Sequence, residues 1–266
     1  KILVSPKESM PIGLTVGYTL TRSLFQKKPS LSDNRYMSWK EFMGIGVVSN
    51  DKYRAKVDKD DLALILHSGG TTGTPKGIMI SNYSFNALAQ QSAVNVIEVR
   101  PKEKILTLLP IFHGFGLATL IISFVMGKKV CLMRKLDAEE ALKSISEEKI
   151  EVLSLVPAML ARLWQVDNAS DFLRSVKCII CGGDRLDKKW ETITNERLGH
   201  ILYNLFGTSE AGFFMIAQPE DLMRYEETTI GKPIKGVKCQ ISQTSTNGVG
   251  ELMVCSSWAM TSLKDR

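Results

Sequence analysis

The chain has 266 residues, 44% of them apolar and 23% charged, with a formal net charge of +6. That balance fits a globular protein with a buried core, and no run of about 18 apolar residues is present to span a membrane. The positive charge suits an anionic ligand, but it is spread along the chain without a block of about five or six basic residues or basic–aromatic interleaving, which argues against nucleic acid.

The chain opens Lys1-Ile2-Leu3-Val4-Ser5-Pro6, with neither an initiator Met nor the layout of a signal peptide, and reads as the interior of a longer protein. Residues 1–60 give weak patterns: a partial N-terminal subdomain and linker, with a short helix entered over Tyr36–Phe42 and a polar stretch at Val57–Asp61. From Leu62 the pattern becomes regular. Leu62–Leu66 is a short apolar run that stops at a glycine cluster. Ser81 is placed to cap a helix with apolar positions at Phe85, Leu88 and Ala89. Strands are expected over Ile105–Leu109, Lys129–Met133, Val152–Val156, Cys178–Cys181 and Ile201–Phe206. Helices are expected over Gly116–Met126, from Asp137, from Pro157 and from Asp187.

This alternation predicts an α/β fold, a largely parallel sheet covered by helices on both faces, with its core over residues 61–232. Such sheets bind ligands beyond the carboxyl ends of their strands. After about Gly231 the texture changes. Lys238–Ile241 and Gly250–Val254 read as short strands, so residues 233–266 are expected to begin a β-rich subdomain.

The five cysteines, an odd number without a secretory layout, point to reduced thiols and a cytoplasmic setting. Cys178 and Cys181 form a lone C-x-x-C on an expected strand. Side chains three residues apart on a strand point to opposite faces, so small buried hydrophobes are the favoured reading over a metal or redox pair.

The most informative segment is Ser68-Gly69-Gly70-Thr71-Thr72-Gly73-Thr74-Pro75-Lys76-Gly77. Glycines let backbone N–H groups approach an anion, threonines add hydroxyl donors, and Lys76 brings positive charge to phosphate oxygens. A Walker A loop ends in Gly-Lys-Ser/Thr, whereas here Lys76 lies between Pro75 and Gly77. A kinase glycine-rich loop fits poorly, because no His-Arg-Asp or Asp-Phe-Gly follows. A flexible surface loop is the bland alternative, disfavoured by the apolar run that feeds it.

This ten-residue loop resembles the signature of the adenylate-forming superfamily, which includes acyl- and aryl-CoA synthetases, luciferases and the adenylation domains of peptide synthetases. Further similarities follow in the family's order. Leu109-Pro110-Ile111-Phe112-His113-Gly114 resembles the segment beside the acyl pocket, and the resemblance implies that His113 lies near the substrate carboxylate. A helix-start histidine without chemistry is the alternative. Cys181-Gly182-Gly183-Asp184 is similar to the family's Gly-Gly loop, where Gly182, Gly183 and Asp184 would line the nucleotide and acyl pocket; alone it is an ordinary turn. Tyr203-Asn204-Leu205-Phe206-Gly207-Thr208-Ser209-Glu210 is the second strong match. It implies that Phe206 stacks on adenine, Asn204, Gly207 and Thr208 line the pocket, Ser209 bonds the α-phosphate, and Glu210, with Thr72, binds Mg²⁺. Phe206 stands where Tyr is common and Ser209 where Thr is common. Phe213 and Phe214 are further expected pocket positions.

The resemblance implies ATP-dependent activation of a carboxylic acid to its acyl-adenylate, followed by transfer to the thiol of coenzyme A. A carrier-protein thiol, or a non-catalytic nucleotide-binding module of the same fold, are the alternatives. The family's ribose-binding Asp segment and its small C-terminal domain with a catalytic Lys are not found, so the chain is expected to be a fragment of the large domain, nearly inactive alone.

Overall fold

The computed structural model describes residues 2–3, 12–21, 37–45, 56–67, 76–95, 103–133, 136–242, 245, 248–260 and 262–264. The chain forms two compact units, Lys1–Val57 and Asp58–Arg266. In the first, β1 (Ile2–Leu3) is followed by α1 (Ile12–Thr21), β2 (Met37–Ser38) and α2 (Trp39–Ile45), and β1 pairs with β2 in parallel. Ser38 opens α2. Its hydroxyl accepts from the Glu41 N–H at 3.2 Å while the Glu41 carboxylate accepts from the Ser38 N–H at 2.8 Å, a reciprocal cap.

The second unit runs β3 (Leu62–His67), β4 (Gly77–Ser81), α3 (Asn82–Asn95), β5 (Lys104–Thr107), α4 (Gly114–Val125), β6 (Lys129–Leu132), α5 (Ala138–Glu148) and β7 (Val152–Leu155). It continues through α6 (Pro157–Trp164), α7 (Ala169–Phe172), β8 (Cys178–Gly182), α8 (Lys188–Leu198), β9 (Leu202–Thr208), β10 (Gly212–Ala217) and α9 (Pro219–Arg224). Four short strands follow: β11 (Lys232–Pro233), β12 (Lys238–Ser242), β13 (Glu251–Cys255) and β14 (Ser262–Lys264).

The main sheet has the order β11-β10-β9-β8-β7-β5-β6. The block from β6 to β9 is parallel, and β10 and β11 are added antiparallel. Its two faces follow from strand alternation. Leu106, Leu153, Leu155, Ile179, Cys181 and Leu202 point to one side and bury against Leu142 and Ile145 of α5 and Leu160 and Leu163 of α6. Ile105, Val152 and Cys178 point to the other side. There α4 packs, and the Thr119 and Ser154 hydroxyls meet at 3.0 Å. The fold class expected from the alternation of elements is therefore what forms.

Local signals act where the sequence places them. The Asp137 carboxylate accepts from the Glu140 N–H at 3.1 Å and starts α5, and the Asp187 carboxylate accepts from the Lys189 N–H at 2.8 Å and starts α8. Pro157 occupies the first turn of α6. Ser81 accepts from the Ser84 N–H at 3.1 Å at the start of α3.

One element departs from expectation. Leu62–Leu66 precedes a glycine cluster, as a buried parallel strand would, yet β3 belongs to a separate antiparallel sheet with order β14-β4-β3, and only Leu66 on it is buried. A continuous apolar run does not reveal its partner strand.

The C-x-x-C cysteines lie in different apolar clusters on opposite faces of β8. Burial pushes both thiols up to about 12. A raised thiol pKa keeps the unreactive protonated form at neutral pH. At about pH 8, exposed Cys255 is expected to react with a maleimide in the native protein, while Cys178 and Cys181 react only after unfolding, as mass spectrometry of labelled peptides would show. Leu160→Ala, at a fully buried position of α6, is expected to cost about 2–5 kcal/mol in a denaturant titration.

Candidate active site

Strand β5 ends at Thr107 and the chain turns at Pro110, whose carbonyl accepts from the His113 N–H at 3.0 Å. His113 then adopts an extended backbone (φ −98°, ψ 146°) and caps α4, its Nδ1 accepting from the Phe115 N–H at 3.3 Å. That leaves Nε2 as the nitrogen carrying the proton in the neutral ring.

On the opposite side, β9 and β10 are joined by a tight turn. The Thr208 hydroxyl accepts from the Ala211 N–H at 3.2 Å, and the Glu210 carbonyl accepts from the Met260 N–H at 2.6 Å. Among the described residues, the Glu210 carboxylate engages neither a hydrogen-bond donor nor a cation. Gly183, with φ +83°, turns the chain out of β8.

These elements enclose a cavity of about 230 Å³. Its walls come from Leu64, Leu66 and Ile80 of the β3–β4 hairpin, Phe85 and Leu88 of α3, and His113, Gly114 and Phe115 at the start of α4. Gly183, Leu205, Gly207, Thr208, Ser209, Phe213 and Trp258 add to it. The cavity lies off the carboxyl ends of β5, β8 and β9. The chain leaves β5 for β6 on one side and returns to β7 on the other, so this is the crevice expected where strand order reverses. A Cβ placed on Gly114 would lie 3.5 Å from both Leu66 Cδ1 and Ser209 Oγ, which measures how closely three segments converge.

Of the residues singled out from sequence, His113, Gly183, Gly207, Thr208 and Ser209 line the cavity, as does Phe213. Lys76 is exposed just before β4, and Asp184 is exposed with its carboxylate accepting from the Arg185 N–H at 2.7 Å. Gly182 is buried within β8. Asn204 and Phe206 lie on the other face of β9. The Asn204 Nδ2 donates to the Thr229 carbonyl at 2.8 Å, and Phe206 packs edge-on to Phe214 with ring centres 5.1 Å apart. Phe214 is thus a core residue and does not line the cavity. Ser68, Gly69, Gly70, Thr71, Thr72, Gly73, Thr74 and Pro75 lie outside the described residues. The main contributor that sequence reasoning missed is Trp258, which sits in a short segment without periodicity.

The fold and its crevice define an α/β ligand-binding domain whose cleft is built from a helix N-terminus, a glycine turn and a Thr-Ser-Glu turn. The chain belongs to the AMP-binding enzyme family, whose description matches residues 14–262. It is 27% identical over 229 residues to the 2-succinylbenzoate–CoA ligase of Bacillus subtilis, covering 85% of this chain and 46% of that protein. It is 31% identical over 199 residues to the enzyme of the same name from Staphylococcus aureus, covering 73% and 39%. The chain thus spans less than half the length of these relatives. The B. subtilis o-succinylbenzoate CoA synthetase bound to the acyl-adenylate OSB-AMP superposes with a TM-score of 0.74 at 25% identity, covering 92% of this chain and 50% of that one. The N-terminal domain of FACL13 from Mycobacterium tuberculosis shares the fold, with a TM-score of 0.78 at 21% identity, over 100% of this chain and 65% of that one.

The cap and the cavity wall at His113 are separable. His113→Ala is expected to cost about 1 kcal/mol in chemical denaturation, whereas His113→Asn, which keeps a capping acceptor, is expected to restore the stability without restoring the imidazole.

Proposed function

We propose that the whole protein is an AMP-forming acid–thiol ligase and that this chain supplies most of its nucleotide and acyl site. The convergence of the His113–Gly114 cap, the Ser209 turn and the end of β3 on one cavity carries the reading. The family membership supports it, as do relatives that act, by name, on 2-succinylbenzoate and coenzyme A.

In the first step a substrate carboxylate oxygen attacks the α-phosphorus of ATP and pyrophosphate leaves. In the second a thiol sulfur, that of coenzyme A, attacks the acyl carbon and AMP leaves. His113 orients the carboxylate at the cavity mouth. Lys76 and the loop from Ser68 through Gly69, Gly70, Thr71, Thr72 and Gly73 to Thr74 neutralise the phosphates. Ser209 donates to the α-phosphate and Thr208 supports it. Gly182, Gly183, Asp184, Asn204, Phe206 and Gly207 receive the adenosine and the acyl-phosphate linkage.

The chemistry of Glu210 fits Mg²⁺. It is a partly exposed carboxylate without a competing cation among the described residues, and those residues contain no cluster of three or more His, Cys, Asp or Glu. A hard cation that keeps waters and takes most of its remaining ligands from phosphate needs only one or two protein carboxylates. Glu210, with Thr72, would hold the ion, which supplies charge neutralisation at the phosphates. Among the described residues, no helix is long and apolar enough to cross a membrane.

With the complete protein and a panel of carboxylic acids that includes 2-succinylbenzoate, acid-dependent pyrophosphate release is expected. Glu210→Gln is expected to lower kcat/KM by roughly a hundredfold or more, the scale of lost metal-assisted stabilisation. Undiminished release by that variant, or release without any acid, overturns the assignment.

A further inference from the structure

We propose that the segment running from Trp258 into β14 is a strap that fixes the spacing between the Glu210 turn and the start of β4, with Trp258 as its positioning residue. The inference rests on the reading of Glu210 and Lys76 given above.

At one end the strap grips the turn between β9 and β10. Trp258 is 3% exposed, and its Nε1–H donates to the Phe213 carbonyl at 3.1 Å. Two residues on, the Met260 N–H donates to the Glu210 carbonyl at 2.6 Å. Gly212 lies between these two anchors with φ +64°, and a Cβ there would come within 2.8 Å of Trp258 Cδ1. The indole therefore fills the space beside the turn, and the turn leaves room for it only because position 212 has no side chain. Ala259 is tied to α3, since its carbonyl accepts from the Ser84 hydroxyl at 3.1 Å.

At the other end the strap becomes a sheet strand. β14 pairs antiparallel with β4, Ser262 opposite Met79, Leu263 opposite Ile78 and Lys264 opposite Gly77. Gly77 directly follows Lys76, so the last pair in this ladder sits one residue after that lysine. One short stretch of backbone thus holds both the carboxylate turn and the strand that Lys76 immediately precedes. Hydrogen bonds made before ligand arrives fix that distance in advance, which is how a site avoids reorganising when charge enters it.

The test is calorimetric titration of the complete protein with ATP, once in EDTA and once with Mg²⁺, the readout being the ratio of the two affinities. Wild type is expected to bind ATP more tightly with Mg²⁺, and Glu210→Gln is expected to lose that gain. Trp258→Phe keeps an aromatic ring but removes the N–H donor. It is expected to reduce the Mg²⁺ gain about fivefold, the worth of one ordinary hydrogen bond, whatever it does to metal-free affinity. Ser84→Ala, a milder change on the α3 side, is expected to reduce the gain in the same direction by less, and it carries the test if Trp258→Phe fails to fold. A full Mg²⁺ gain in a folded Trp258→Phe protein, or in Ser84→Ala where that protein does not fold, overturns the strap alone. So does equal weakening with and without metal, which is what a purely structural role would give. Absence of any Mg²⁺ gain in wild type overturns the Glu210 reading and the strap with it.

Discussion

The contact on which the cavity depends is the close approach of α4 to the end of β5. A Cβ at Gly116 would fall 2.2 Å from the Pro110 carbonyl oxygen, so the helix can enter where it does only because that position carries no side chain. One further bond holds α4 against the sheet, where the Thr119 hydroxyl meets that of Ser154 of β7 at 3.0 Å. With the helix so placed, His113, Gly114 and Phe115 form one wall of the crevice. Its first backbone N–H groups, the positive end of the helix dipole, lie on that wall, a favourable setting for carboxylate and phosphate oxygens.

Strand β9 divides the remaining work by its two faces. Leu205 and Gly207 face the cavity, while Asn204 and Phe206 point the other way, Asn204 held by the Thr229 carbonyl and Phe206 by Phe214. A contiguous motif in sequence is thus split by strand alternation into two groups of side chains.

Legibility in sequence follows burial. The parallel strands are closed in on both faces, so Val152–Leu155 and Cys178–Cys181 read as plain apolar runs bounded by turns. Asp137, Pro157 and Asp187 announce their helices because capping is a local interaction. The antiparallel additions were harder to read. β10 begins at a glycine and contains two adjacent phenylalanines, only one of which reaches the cavity because neighbours on a strand point to opposite faces, and its register with β9 shifts between Phe213 and Met215. The site's polar residues were legible as motifs, but its apolar walls were not. Leu64, Leu88 and Trp258 come together only through the tertiary fold, and no local pattern around Trp258 distinguishes it from a loop residue.

That distribution has a consequence for how the site comes into being. Its walls are contributed by β3 and β4 near the start of the second unit, by α4 and β9 in the middle, and by Trp258 near the end. The pairing of β14 with β4 joins segments separated by most of that unit. Contacts of such long sequence separation carry the largest loop-closure cost and form only when the intervening chain is already in place. The parallel sheet with α5 and α6 has its own large core and does not need the strap. The smaller cluster around Phe115, Phe213, Ile216 and Trp258 does, because Trp258 is one of its buried members. The crevice therefore depends on contacts of long sequence separation, with Trp258 one of the buried members of the cluster behind it.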